Sequence, residues 1–166
     1  MKQNEGFILL ESEPGQGAAV GLYFPRTLDA TVTEPAESST RSGGTETVLV
    51  VEDDPHVREV TLRSLRAGGY RAIVASSGRE ALDAAAREEG PVHLLVTDLI
   101  MPGLNGRELA NELRRHRPDL RVLYISGYAG DDVSRVGMFE AGMELLEKPF
   151  TAALLRERVR KVLDTG

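Results

Sequence analysis

The chain has 166 residues, 41% of them hydrophobic, a formal net charge of −6 and a sequence isoelectric point near 5.2, so it can hold one domain of ordinary size and an appended piece, and its acidity argues against nucleic acid as a direct partner. It has no cysteine, which excludes disulfides, thiolate catalysis and zinc–thiolate sites and favours a cytoplasmic setting. No apolar run approaches the roughly 18 residues of a membrane span, and the apolar stretch after Met1–Glu5 is too short for a signal peptide.

Residues 6–24 read as a β-hairpin. "GFILLES" and "AAVGLYF" are the strands and "EPGQG" is the turn. Gly15-Gln16-Gly17 does not open a dinucleotide loop, since Val20, Leu22 and Phe24 alternate as in a strand where such a loop needs a helix. Residues 27–46 are rich in Thr, Ser, Glu, Pro and Gly and read as a flexible linker. The rest, 47–166, alternates regularly. Val48–Val51 is an apolar, β-branched strand. A helix follows, with Pro55 in its first turn, Asp54 as its N-cap, Val57, Val60, Leu62 and Leu65 on its apolar side, and Gly68-Gly69 at its end. Arg71–Ala75 is a short strand. Ser77 caps a helix carrying Ala81, Leu82 and Ala85. Val92–Thr97 is a strand, Gly106–His116 a helix and Arg121–Ile125 a strand. A weaker helix runs from Asp131 to Glu140, Met143–Glu147 is the last strand, and Thr151 caps a final helix bearing Leu154, Leu155, Val159 and Val162. Strands separated by helices imply parallel pairing with right-handed crossovers, so the fold class is α/β.

Several side chains with reactive potential stand at strand ends. Glu52 and Asp53 follow the first strand of this domain, Asp98 the third, Ser126 the fourth and Lys148 the fifth. In an open parallel sheet these ends share one crevice. Carboxylates about 5.5 Å apart at an effective dielectric near 20 repel by roughly 3 kcal/mol per pair, which a divalent cation relieves. Hard oxygen ligands suit Mg²⁺. One acid can then attack phosphorus, with Lys148 neutralising charge and Ser126 donating a hydrogen bond. Thr97 reads as a strand residue. His56, His93 and His116 fall in no metal-ligand or relay spacing, and the arginines of "ELRRHRP" form a solvated helix face.

On the motifs "VLVVEDDP", "LLVTDLIMPGLNG", "VLYISGYA" and "EKPF", 47–166 resembles a two-component receiver domain. The resemblance implies a flavodoxin-like (βα)5 fold with sheet order 2-1-3-4-5. It implies Asp98 as phosphoacceptor, Glu52 and Asp53 as the acid pair, and the backbone carbonyl of Ile100 as a further Mg²⁺ ligand. Ser126 takes the switch-hydroxyl place and Lys148 that of the family lysine, with a cis Lys148–Pro149 bond. Receivers usually carry Tyr or Phe three residues before the lysine; here Leu145 stands there, and Tyr128 is the nearest aromatic substitute past Ser126. Residues 1–26 resemble the tail of a histidine-kinase ATPase domain, with Ala18 in place of the usual Thr. Together these imply the C-terminal part of a hybrid sensor kinase, a chain with no kinase activity of its own, and a histidine kinase or histidine phosphotransfer protein as partner. A homodimer through the last two helices is compatible with the sequence but not legible in it. A phosphate-sink receiver within its kinase, or a flavin-binding module of the same fold, are the alternatives.

Overall fold

The computed structural model describes residues 7–13, 17–23, 44–127 and 142–165. The chain divides into two compact units, Met1–Ser39 and Thr40–Gly166. The first contains strands β1 (Phe7–Glu13) and β2 (Gly17–Tyr23), paired antiparallel with Leu10 opposite Val20 and Leu9 opposite Gly21. Leu10 and Val20 are both exposed, an apolar cross-strand pair open to solvent.

The second unit contains β3 (Thr47–Val51), α1 (Pro55–Ala67), β4 (Arg71–Ala75), α2 (Gly78–Arg87), β5 (Leu94–Asp98), α3 (Gly106–His116), β6 (Arg121–Ser126), β7 (Glu144–Glu147) and α4 (Ala152–Asp164). The strands lie in the order β4-β3-β5-β6-β7, all parallel. This is the expected 2-1-3-4-5 arrangement of a flavodoxin-like receiver fold. The chain leaves β3 for β4 on one side and β5 on the other, so the sheet's switch point lies between β3 and β5.

The central strands are apolar on both faces because both faces are covered. Leu49, Val51, Leu95, Val122 and Tyr124 pack with α2 and α3 residues such as Ala81, Leu109 and Leu113. Val48, Val50, Leu94, Val96, Leu123 and Ile125 pack on the other face with Leu65, Leu155 and Val159. Every described helix of this unit starts on a side-chain cap: Asp54, Ser77, Asn105 and Thr151. Helix α1 departs from the expected apolar side. Its buried residues are Thr61, Ser64 and Leu65, while Val60 is exposed. Leu65 and Thr61 fall one turn apart on the side facing the sheet, and Val60 lies one residue, about 100°, off that stripe.

Two residues that composition places in the linker are tied to this unit. The Gly44 N–H donates to Gly68 O, and Arg160 on α4 pairs with Glu46 at 2.8 Å and with Asp164 at 2.7 Å. The rest of the expected linker, the helix expected over Asp131–Glu140, and Tyr128 lie outside the described residues.

Candidate phosphoryl-transfer site

The register of the sheet assembles the site. Val51 pairs with Thr97, Asp98 with Ile125, and Ser126 with Glu147. Each next residue along therefore emerges at the same edge: Glu52 beside Asp98, then Ser126, then Lys148. Three main-chain hydrogen bonds extend the ladders just past the strands, from Glu52 N to Ala75 O, Leu99 N to Ile125 O and Lys148 N to Ser126 O. The Lys148–Pro149 bond is cis, as the resemblance implied.

The carboxylates of Glu52, Asp53 and Asp98 offer ligand oxygens that all lie within 4.8 Å of one another. Lys148 Nζ donates to Glu52 Oε2 and to Asp98 Oδ2, each at 2.7 Å. The other Asp98 oxygen, Oδ1, accepts the Ile100 N–H at 2.9 Å, so that carboxylate is held from two sides. Glu52 Oε1 accepts from Asp54 N at 3.4 Å. Burial grades the three acids. Glu52 is 2% exposed and Asp98 9%, whereas Asp53 is open to solvent. Ser126 is buried at the same edge, and the hydroxyl of Thr97 is spent on Asp98 O at 3.0 Å. Thr97 thus behaves as a strand residue, and Asp54 as the cap of α1, its Oδ1 accepting from His56 N and Val57 N.

Charge in this crevice is unbalanced. Burial pushes the Glu52 carboxyl above its ordinary range, and the hydrogen bond from Lys148 does not fully offset it. Burial alone would lower Lys148, but hydrogen bonds to Asp98 and Glu52 outweigh it and hold the ammonium above its ordinary range. One cation therefore stays charged between acids whose negative charge it does not cancel. A hard divalent cation fits this donor set of carboxylates with an exposed acid at the rim.

The structure brings together all of Glu52, Asp53, Asp98, Ser126 and Lys148, with Ile100 in the adjoining loop. Leu145 is half-buried and stands in register with Tyr124 on β6. Two contributors escaped the sequence reading. Arg58 Nη1 donates to the carbonyls of Glu52 and Asp53. His93 Nδ1 accepts the Thr47 N–H at 3.0 Å, which fixes the start of β3. Neither has a motif, because both act on main-chain atoms; the only signal was an arginine one turn into the helix that follows the acid pair.

Comparison with known proteins gives a consistent picture. The model of the response regulator receiver domain family matches residues 48–160. The sensor kinase CckA of Brucella abortus (strain 2308) is 35% identical over 173 residues, covering 99% of this chain and 18% of that protein. The chain spans between 18% and 50% of the lengths of curated relatives it matches. Among solved structures, the receiver domain of the hybrid histidine kinase CckA is 38% identical with a TM-score of 0.60, covering 71% of this chain and 99% of that one. The response regulator TrrA of Thermotoga maritima, solved in complex with Mg²⁺–BeF, is 31% identical with a TM-score of 0.58, covering 71% and 99% respectively.

Proposed function

This chain belongs to the response regulator receiver domain family of two-component signalling, and from that premise we propose that Asp98 is its phosphoacceptor. The observation that carries the assignment is the environment of the Asp98 carboxylate: buried at a strand end, bonded to Lys148 at 2.7 Å, and clustered with Glu52 and Asp53. Glu52, Asp53, Asp98 and the carbonyl of Ile100 would hold Mg²⁺, which supplies neutralising charge for the phosphoryl oxygens. An Asp98 oxygen attacks phosphorus of a phosphohistidine or small phosphodonor in line. With phosphohistidine the phosphorus–nitrogen bond breaks, its electron pair leaves with the imidazole and the ring takes up a proton; with acetyl phosphate the phosphorus–oxygen bond breaks and acetate leaves. Lys148 exchanges its contact with Asp98 for the incoming phosphoryl oxygens, and Ser126 donates to one of them. Catalysis is then mostly positioning and electrostatics. The added charge biases the segments beyond Ser126, a local event with a distant readout.

Receiver domains work with histidine kinases or histidine phosphotransfer proteins, and either is the donor here. The likeness to a sensor kinase extends over 99% of this chain, hairpin included, which supports reading residues 1–26 as the end of a kinase ATPase domain and the parent as a hybrid kinase. On that reading 27–46 is the linker, its last residues Gly44 and Glu46 tied to the receiver, and 47–166 is the receiver, set in the cytoplasm, where the donor chemistry resides. No described helix is long and apolar enough to cross a membrane. Leu145 at the usual aromatic place favours the phosphate-sink variant of this function, in which rapid loss of phosphate accompanies unchanged partner binding. Between receiver and flavin module, the family match decides for the receiver.

The test is intact-mass spectrometry after incubation with acetyl phosphate and Mg²⁺. Wild type gains one phosphoryl group and Asp98→Asn gains none. Phosphorylation of Asp98→Asn at the wild-type rate would overturn the assignment.

A further inference from the structure

Arg58 stands one turn into α1 and reaches back over the strand ends. Its Nη1 donates to the Glu52 carbonyl at 2.7 Å and to the Asp53 carbonyl at 3.2 Å. One guanidinium nitrogen therefore holds two successive peptide groups of the segment that carries the acid pair. The two acids differ in what else restrains them. Glu52 is buried, with its carboxylate bonded to Lys148 Nζ and to the Asp54 N–H. Asp53 is exposed, and among the described residues no hydrogen bond or ion pair reaches its carboxylate. Two other carboxylates lie within 4.8 Å and repel it towards solvent. What keeps the Asp53 carboxylate in the crevice is the direction of its main chain, and the side chain that grips this main chain is Arg58.

We propose that Arg58 is a positioning residue of the cation site: by clamping the carbonyls of Glu52 and Asp53 it fixes the acid pair in a cation-ready arrangement and so sets the affinity for Mg²⁺. The proposal rests on reading the three carboxylates as a divalent-cation site. Arg58 touches neither phosphorus nor the ligand oxygens. Its role is that of an outer partner which orients first ligands, except that it acts through their backbone.

Charge and clamp predict opposite signs. The guanidinium is a positive group near a cation site, so if charge alone mattered, its removal would tighten Mg²⁺ binding. If the clamp matters, removal frees the Asp53 segment and weakens binding. Isothermal titration of the full chain with Mg²⁺ separates the two. Arg58→Met keeps the apolar stem and removes every donor; its dissociation constant for Mg²⁺ rises about tenfold, the low end for loss of an orienting partner. Arg58→Gln, too short to span both carbonyls, shifts the same way. Arg58→Lys has a charged donor on a flexible stem, able to reach one carbonyl, and recovers to within about threefold of wild type. In acetyl phosphate reactions, Arg58→Met raises the half-saturating Mg²⁺ concentration and leaves the rate at saturating Mg²⁺ within about twofold. Unchanged or tighter Mg²⁺ binding in folded Arg58→Met, or in Arg58→Gln should the methionine variant not fold, overturns the proposal. Asp53→Asn separates the premise from the inference. If that variant binds Mg²⁺ like wild type, the cation site itself is wrong; if it loses affinity while Arg58→Met does not, only the role of Arg58 falls.

Discussion

At the scale of single residues, the site depends on space as much as on charge. Gly106 opens α3 where that helix abuts the end of β5. A Cβ built there would collide with the Asp98 carbonyl oxygen and come within about 3 Å of the Thr97 side chain. The obstacle is backbone, which does not swing aside, so Gly106→Ala must push α3 or the Asp98 peptide out of place. The expected cost is about 1–3 kcal/mol in urea unfolding, and the displaced carboxylate is phosphorylated more slowly by acetyl phosphate. Gly103, three residues earlier, is the contrast. Its φ is +78°, with open space around a Cβ, so Gly103→Ala costs about 1–2 kcal/mol of backbone strain and leaves the Asp98 rate unchanged. A wild-type Asp98 rate in a folded Gly106→Ala would show that the close approach does not position the acid. The carboxylates and Lys148 were legible in the sequence because each directly follows a strand and carries its own chemistry. Gly106 was not, since its constraint comes from a neighbour in space. Arg58 and His93 were missed for a related reason: their partners are peptide groups, which every residue has.

At the scale of elements, the helices were legible through their ends and less so through their faces. Ser77, Asp54 and Thr151 cap where expected, because a side-chain oxygen beside free N–H groups is a local matter. The buried side of α1 is set instead by what the sheet presents, and there Thr61 and Ser64 took the place expected of Val60. The connection from α2 to the sheet shows another non-local device. Glu88, just past α2, accepts both Nη atoms of Arg71 on β4, at 2.7 and 2.8 Å. Arg117, just past α3, donates to the carbonyls of Ala85, Glu88 and Gly90 and so satisfies the open end of α2. The hydrogen bond from Arg71 leads the forces that hold the Glu88 carboxyl below its ordinary value of 4.5. A depressed carboxyl contributes stability that is fully present above its unfolded value and is lost as pH falls through the folded one. The stability gap between wild type and Glu88→Gln, measured by urea unfolding, is therefore constant from about pH 6 to 8 and narrows as pH drops below 4.5. A gap that stays constant down to acid unfolding would mean that the ion pair contributes nothing.

At the scale of the whole molecule, the parallel sheet stabilises the domain and its C-terminal edge works against that stability. The alternation of strands and helices made the topology legible, and the topology forces three acids into one crevice. Their ligand oxygens lie within 4.8 Å, a separation at which two unit charges repel by about 3 kcal/mol at an effective dielectric near 20. Lys148 contacts Glu52 and Asp98 but not Asp53, so the repulsion on Asp53 is relieved mainly by solvent. Because Asp53 is exposed, solvent screening leaves at most about 1 kcal/mol of net destabilisation. The site is thus a place where function is carried at the expense of stability. In metal-free buffer with chelator, Asp53→Asn should be more stable than wild type by up to about 1 kcal/mol. On the proposed ligand set, adding Mg²⁺ reverses the order, because a ligand that binds only the native state stabilises it by about 2.7 kcal/mol when present at a hundred times its dissociation constant, and the variant lacks one of the proposed ligands. Paired urea melts of the two proteins, with chelator and with Mg²⁺, read the crossing directly. If Asp53→Asn is no more stable than wild type without metal, the carboxylates do not strain the fold; if Mg²⁺ raises both proteins equally, Asp53 is not among its ligands.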